Sequence, residues 1–279
     1  MKVTVLGDGL AACVTVAALA PRPALTVEWV ISSLQVLDPQ APVPGVFLIN
    51  GDDTSATRFA AWVADQAQQS GHPVEAALLP IELADLTILA EGEPLPRMGI
   101  VDISALTQAL IAHIRQRGVV PHVAPEATFV WGDNQVVGLT LDGGQVLESD
   151  QVIWATGVDV QQRFRKTSLD YGRHGARVVA RTVSNGSEPP GGIRRWMQAL
   201  YFFPFAAQVW LLGDPQLLNA PIVVDEPLSG VPMFDGIAWT AQRSNPGLIL
   251  VGISGGEGLL ALPLVAPHVE RLLEIEPDA

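Results

Sequence analysis

The chain has a single cysteine and few charged side chains. Cys13 is alone among 279 residues, so a disulfide-stabilised secreted fold is not expected and a reducing compartment is. Only 16% of the residues are charged, and 16 Lys and Arg face 29 Asp and Glu, which gives a formal net charge of −13. A surface of this charge repels phosphodiester backbones, so we expect no nucleic-acid partner.

Long apolar runs are missing too. No uninterrupted apolar stretch reaches the roughly 18 residues of a membrane-spanning helix, and no basic segment precedes Val3 as in a secretion signal. We therefore expect a cytoplasmic protein. The hydrophobic content of 48% and the mean hydropathy of +0.30 predict a large core and leave open a peripheral membrane contact or a protein partner. No metal site is expected, because the five histidines lack ligand spacing and cysteine partners: His72, His113, His122, His174 and His268.

The first twenty residues carry the clearest functional motif. A short apolar strand at 3–6 leads into Gly7-Asp-Gly9 and then into an alanine-rich helix. In a dinucleotide-binding βαβ unit the first glycine makes the tight turn, the second lets backbone approach a pyrophosphate, and the helix N-terminus offers free N–H groups. Ala12 takes the close-packing position. The motif therefore predicts a nucleotide site formed by Gly7, Gly9, Leu10, Ala11 and Ala12.

The second predicted strand, at 25–31, ends without the acidic residue that such sites usually carry. An Asp or Glu at this position binds the ribose hydroxyls, but here the chain reads Ile31-Ser32-Ser33. Glu28 lies too early and on the opposite strand face. The sequence therefore predicts that only the hydroxyls of Ser32 and Ser33 face a ribose.

The remaining pattern alternates strands and helices and then becomes strand-rich, which predicts an α/β fold with a β-meander and a second, mostly antiparallel sheet. Gly255-Gly-Glu-Gly258 is predicted as a loop between the last strand and the last helix. Helices are predicted at 11–19, 58–69, 105–116 and 259–274, and the later strands at 81–89, 128–131, 136–141, 146–148, 151–155, 177–183, 197–203, 208–212 and 247–252.

Taken in order, four segments resemble FAD-dependent aromatic-ring monooxygenases of the para-hydroxybenzoate hydroxylase fold, most closely the ubiquinone-biosynthesis hydroxylases. They are Gly7-x-Gly9-x-x-Ala12, residues 80–110, the meander ending in Ala155-Thr-Gly157, and the final strand, loop and helix. The resemblance implies a Rossmann-like FAD-binding domain of the para-hydroxybenzoate hydroxylase/glutathione reductase type at 1–70, 98–168 and 235–279. It implies a substrate or interaction domain at 71–97 and 169–234.

The resemblance also implies the cofactor contacts and the reaction. FAD would take electrons from NAD(P)H and react with O2 on a small apolar or aromatic substrate. The turn at Thr156 and Gly157 and the final glycine loop would hold the flavin, the latter through Gly252, Gly256, Glu257 and Gly258 at the N-terminus of the last helix. An aromatic cluster would line the substrate pocket: Trp196, Tyr201, Phe202, Phe203, Phe205 and Trp210. Catalytic residues remain unassigned.

Two other functions stay open. Residues 101–110 and 150–157 also resemble D-amino-acid and glycine oxidases, in which Arg194 or Arg195 would have to bind the substrate carboxylate. The second alternative is a non-catalytic partner or scaffold subunit that kept the fold. It is favoured by the missing acidic residues at Ser32, Thr156 and Ser254.

Overall fold

The computed structural model describes residues 1–38, 42–49, 54–82, 97–155, 173–182, 193–196, 200–205, 208–213, 224–227, 231–234, 239–253 and 255–275. Within these ranges the chain forms a parallel sheet with helices on one face, a small meander on the other face, and a second, mostly antiparallel sheet. The predicted α/β class is confirmed.

The first sheet has six strands in the spatial order β17, β18, β10, β1, β2, β6. All neighbours run parallel except β17, which forms an antiparallel hairpin with β18. The central strands β1, β10 and β18 are largely apolar on both faces because both faces are covered. Their bounds are β1 Lys2–Leu6, β2 Thr26–Ile31, β6 Pro121–Val123, β10 Gln151–Trp154, β17 Trp239–Asn245 and β18 Leu248–Ile253.

Helices cover one face of this sheet. They are α1 Leu10–Leu19, α2 Thr54–Ser70, α3 Ile103–Gln116 and α4 Gly255–Leu272. Helix α1 packs between α3 and α4, and nine of its ten residues are buried. A helix surrounded in this way has to be apolar on all sides, which explains why the sequence of α1 shows no polar face.

The meander covers the other face of the sheet. Its strands are β7 Thr128–Gly132, β8 Gln135–Thr140 and β9 Val146–Glu148. The N–H of Val136 donates to the carbonyl of Pro246 over 2.9 Å, which ties the meander to the β17–β18 hairpin. Successive residues of β2 divide between the two sides: Ile31 joins the helical core, and Val30 joins the core beneath the meander.

The second sheet has nine strands in the order β15, β11, β14, β13, β12, β4, β5, β3, with β16 also paired to β11. Its neighbours are antiparallel except β12 and β4. The bounds are β3 Pro44–Ile49, β4 Ala76–Glu82, β5 Arg97–Asp102, β11 Arg173–Thr182, β12 Ile193–Trp196, β13 Leu200–Phe205, β14 Gln208–Gly213, β15 Val224–Pro227 and β16 Val231–Phe234.

Several boundaries differ from the prediction. The loop predicted at Gly255–Gly258 is wrong, because these residues form the first turn of α4. The glycines favoured a loop, but the apolar residues after them pack into the helical core and extend the helix back to the strand. The strand predicted at 81–89 is displaced: β4 ends at Glu82, and 83–89 lie outside the described residues.

Candidate functional site

Two helices begin at the same edge of the parallel sheet. Helix α1 follows β1 after Gly7-Asp-Gly9, and α4 follows β18 after a single residue. From β1 the chain moves to β2 on one side and later to β10 on the other, so the carboxyl end of β1 is a topological switch point. Only β10 separates β1 from β18, and adjacent strands lie about 4.8 Å apart, so the carboxyl ends of β1 and β18 are roughly 10 Å apart.

The turn after β1 is held on both sides by β2. The N–H of Gly7 donates to the carbonyl of Val30 over 2.9 Å, and the indole N–H of Trp29 donates to the carbonyl of Gly7 over 2.9 Å. Gly7 has φ 148°, a conformation that favours glycine, and Trp29 is completely buried. Gly7 therefore fixes the turn, and its N–H is already used by the protein.

The N-terminus of α1 opens onto free space. A Cβ built on Gly9 would meet no atom of the described residues within 4 Å. No side chain caps the helix, and its first turn holds no acidic residue. The first intrahelical bond is donated by Cys13 to Gly9 over 3.1 Å, so the N–H groups of Leu10 and Ala11 are among those that a helix leaves for an outside acceptor.

Asp8 bridges the glycine turn to the end of β2. Its carboxylate accepts hydrogen bonds from the backbone N–H of Ser32, over 2.7 Å, and from the hydroxyl of Ser32. The hydroxyl of Ser33 accepts from the N–H of Gln35 over 3.2 Å. Both serines predicted to face a ribose thus have protein partners. Sequence reasoning missed Asp8, although an acidic residue between the two glycines was the available signal.

The close-packing and α4 positions are also placed by the structure. Ala12 is fully buried against the helical core. Gly252 is buried on β18 opposite Thr240, and Gly258 is buried in the first turn of α4. Gly256 and Glu257 also belong to that turn. Thr156 and Gly157 lie outside the described residues, although the N–H of Ala155 just before them donates to the carbonyl of Leu6 over 2.8 Å.

Cys13 sits in the helix directly behind this opening. It is buried and unpaired, and burial, followed by the negative charge of Asp8, raises the pKa of its thiol to about 12. A thiol held protonated in this way is a poor nucleophile. Cys13 is therefore a packing residue of the helical core.

A separate apolar cleft of about 450 Å³ lies between α2 and the β3–β5–β4 edge of the second sheet. The ring of Phe47 packs over Gly99, where a Cβ would come within 2.1 Å of it, and meets the ring of Phe59 edge-on at 5.3 Å. None of the described residues that line the cleft is charged, so they offer no cationic partner to an amino-acid carboxylate. The lining is Phe47, Ile49, Thr54, Ala56, Thr57, Phe59, Ala60, Ala76, Ala77, Leu78 and Ile100.

Asp102 has a structural contact at the start of α3, and the side chains predicted to bind substrate are not among those described. The carboxylate of Asp102 caps α3 by accepting from the N–H of Ala105 over 3.0 Å. Arg194 and Arg195 lie on β12, and the predicted aromatic cluster lies on β12, β13 and β14, but these side chains are not among those described. The described residues contain no cluster of metal-ligating side chains, and no described helix is long and apolar enough to cross a membrane.

Comparison with known proteins identifies the fold. No family model and no curated protein matches the sequence. Among solved structures, glycine oxidase from Bacillus cereus matches 98% of this chain and 94% of its own with a TM-score of 0.66 at 14% identity. L-Proline dehydrogenase from P. horikoshii matches 98% and 92% with a TM-score of 0.67 at 12% identity. An FAD-dependent oxidoreductase from Pseudomonas aeruginosa matches 100% and 92% with a TM-score of 0.60 at 14% identity.

These likenesses establish a shared fold across nearly the whole chain. The fold is that of oxidoreductases, among them an FAD-dependent one. The predicted oxidoreductase fold is thus confirmed.

Proposed function

We propose that the chain binds FAD across the N-termini of α1 and α4 and oxidises an amine or amino acid. The observation that carries the proposal is the pair of glycine-flanked helix N-termini at one sheet edge, on either side of the switch point. Helix N-termini bind phosphate through free N–H groups and the positive end of the helix dipole. The shared fold with an FAD-dependent oxidoreductase supports FAD as the nucleotide.

The described residues fit this group. The open space beside Gly9 admits a pyrophosphate, and the uncapped first turn of α1 supplies its donors. With a net charge of −13 the protein has to meet phosphate charge locally, which main-chain N–H groups do. The glycines in the first turn of α4 would let its backbone approach the isoalloxazine ring. Bound FAD would supply a two-electron acceptor.

The substrate class is proposed from the same neighbours. A glycine oxidase, an iminodiacetate oxidase and an L-proline dehydrogenase share the fold, and each is named for a substrate with an amine nitrogen. The overall oxidase reaction converts a primary amine, dioxygen and water into a carbonyl compound, ammonia and hydrogen peroxide. The ring-hydroxylase alternative would consume NAD(P)H instead, and it is retained only as a comparison in the assay.

The experiment is flavin uptake followed by a substrate panel. We expect the purified protein to bind FAD, to release it on heating, and to form peroxide or reduce an artificial electron-acceptor dye with glycine, iminodiacetate or L-proline. Oxidation of NADPH without an amine would favour the ring hydroxylase. Protein that stays colourless and takes up no added FAD would overturn the proposal and favour the non-catalytic alternative.

A further inference from the structure

The second strand is followed by Ser32 and not by an acidic residue, but the carboxylate of Asp8 lies beside Ser32 in the structure. We propose that Asp8 is the acceptor for the hydroxyls of the adenosine ribose, and that Ser32 holds it in position. This inference rests on the proposed FAD site. Dinucleotide sites take this carboxylate from the end of the second strand, whereas here it comes from the glycine turn of the neighbouring strand.

The register of the two strands explains the position. Strands β1 and β2 run parallel, with Leu6 opposite Val30. The N–H of Gly7 adds the next hydrogen bond, to the carbonyl of Val30 over 2.9 Å. The Asp8 carboxylate then accepts the N–H of Ser32 over 2.7 Å. The Asp8 side chain thus adds one more hydrogen bond between the two chain segments after the last backbone pair, and this places its carboxylate at the carboxyl end of β2.

The carboxylate retains capacity for a ligand. An ionised carboxylate offers about four acceptor positions, and the N–H and hydroxyl of Ser32 occupy two of them. The two hydroxyls of a ribose would fill the remaining two. Asp8 is half-buried and Ser32 is exposed, so the side of the pair that faces solvent is open to a ligand.

The negative charge of Asp8 would attract ribose hydroxyls but repel a pyrophosphate. The two effects predict changes of opposite sign in nucleotide affinity when Asp8 is neutralised. Asp8 immediately precedes the mouth of α1, where the pyrophosphate is proposed to bind, and two like charges in partly exposed surroundings repel each other. If repulsion dominated, neutralising Asp8 would tighten the binding of every phosphate ligand, whatever its sugar. If ribose binding dominates, the same change weakens only ligands that carry ribose hydroxyls.

The experiment is calorimetric titration of the flavin-free full-length protein with ADP and with 2′,3′-dideoxy-ADP. Hydrogen bonds to a carboxylate contribute more than neutral ones, so we expect the wild type to prefer ADP by about tenfold or more. Asp8→Asn is expected to bring this preference close to one, mainly by weakening ADP. Ser32→Ala, which keeps the carboxylate and removes one donor to it, is expected to reduce the preference partly.

Asp150→Asn is the matched control. The Asp150 carboxylate accepts from the N–H of Lys2 over 2.6 Å, a similar clamp at the opposite end of β1, and its loss should leave the preference unchanged. A wild type that binds both nucleotides equally, or an Asp8→Asn variant that binds ADP more tightly, would overturn the inference while leaving FAD binding intact. A wild type that binds neither ADP nor FAD would overturn the proposed function as well.

Discussion

At the scale of single residues, the two glycines of the turn after β1 have different roles. Gly7 and Trp29 serve the fold, since their mutual hydrogen bond joins the turn to β2. Gly9 makes no comparable contact and faces open space. The motif places both glycines in the nucleotide site, but only the structure shows that the N–H of Gly7 is committed to Val30.

Gly9→Ala separates nucleotide binding from folding. The added methyl meets no atom of the described residues, and Gly9 has an ordinary extended backbone (φ −81°, ψ 177°). Because Gly9 is the N-cap of α1 and alanine caps less well than glycine, we expect the free energy of unfolding to fall by no more than about 1 kcal/mol. The methyl would occupy space proposed for the pyrophosphate, so FAD affinity should fall by about tenfold, or about 1.4 kcal/mol. Flavin fluorescence titration and urea unfolding measure the two quantities.

Gly132→Ala is the control for this prediction. Its added Cβ would lie 3.4 Å from Val137 in the distant meander, an ordinary contact. Both variants should therefore fold, and only the change at Gly9 should weaken FAD. Equal FAD affinity in the two variants would show that the pyrophosphate does not bind at the N-terminus of α1.

Cys13 provides a pH test of the buried core behind the site. Its thiol has a pKa of about 12 in the folded protein, against 9.0 as the ordinary value, so between these pH values the unfolded chain loses the proton and the folded chain keeps it. The folded state is then disfavoured as pH rises, by up to about 1.4 kcal/mol per pH unit. Cys13→Ala should lack this component.

Urea unfolding of both proteins, below pH 9.0 and well above it, measures the difference. The wild type should lose more stability than the variant over this interval. Parallel pH profiles would show that the thiol ionises equally in the folded and unfolded chain.

At the scale of secondary structure elements, the sequence predicts the strands and helices whose own residues carry a clear local pattern. Strand β1 and helix α1 are marked by an apolar run, two glycines and alanines, and the meander by Asp133-Asn134 and Gly143-Gly144, whose positive φ angles the turns need. Strands β3 and β6 were not predicted. Each begins at a proline and is stabilised by partners distant in the chain, which no local pattern records.

The start of α3 gives a prediction at this scale. The carboxylate of Asp102 caps the helix by accepting a hydrogen bond from the N–H of Ala105. Asp102→Ala should cost about 1 kcal/mol of unfolding free energy while FAD affinity stays unchanged. Asp102→Asn should recover most of the stability, because asparagine caps well. Thermal unfolding, FAD titration and amine turnover together distinguish this role from a catalytic one, which would lower turnover in both variants.

The whole molecule brings together parts that no single segment reveals. The α4 residues of the site come from the far end of the chain and meet α1 only because β18 and β1 flank β10. The guanidinium of Arg22, just after α1, forms an ion pair with Glu270 on α4 over 2.7 Å, with both side chains about four-fifths buried. The order of the segments in the sequence could predict that α1 and α4 lie close together. The hydrogen bond between Asp8 and Ser32 could be found only in the structure.

Net charge gives a prediction for the whole molecule. FAD is an anion, and the chain carries a formal charge of −13, so long-range repulsion should slow their association. Raising the ionic strength from about 0.01 M to about 0.15 M shortens the screening length from about 30 Å to about 8 Å and should increase the association rate. Stopped-flow quenching of flavin fluorescence measures it. A rate that falls with salt would indicate a positively charged entry path.

The central claim is that the N-termini of α1 and α4 hold one FAD between them. Its most direct test is a titration of the flavin-free protein with FAD, repeated with ADP or FMN as competitor. We expect one FAD per chain, displaced by ADP from the α1 side and by FMN from the α4 side. FAD that fails to bind, or that binds and is displaced by neither half-molecule, would contradict the claim.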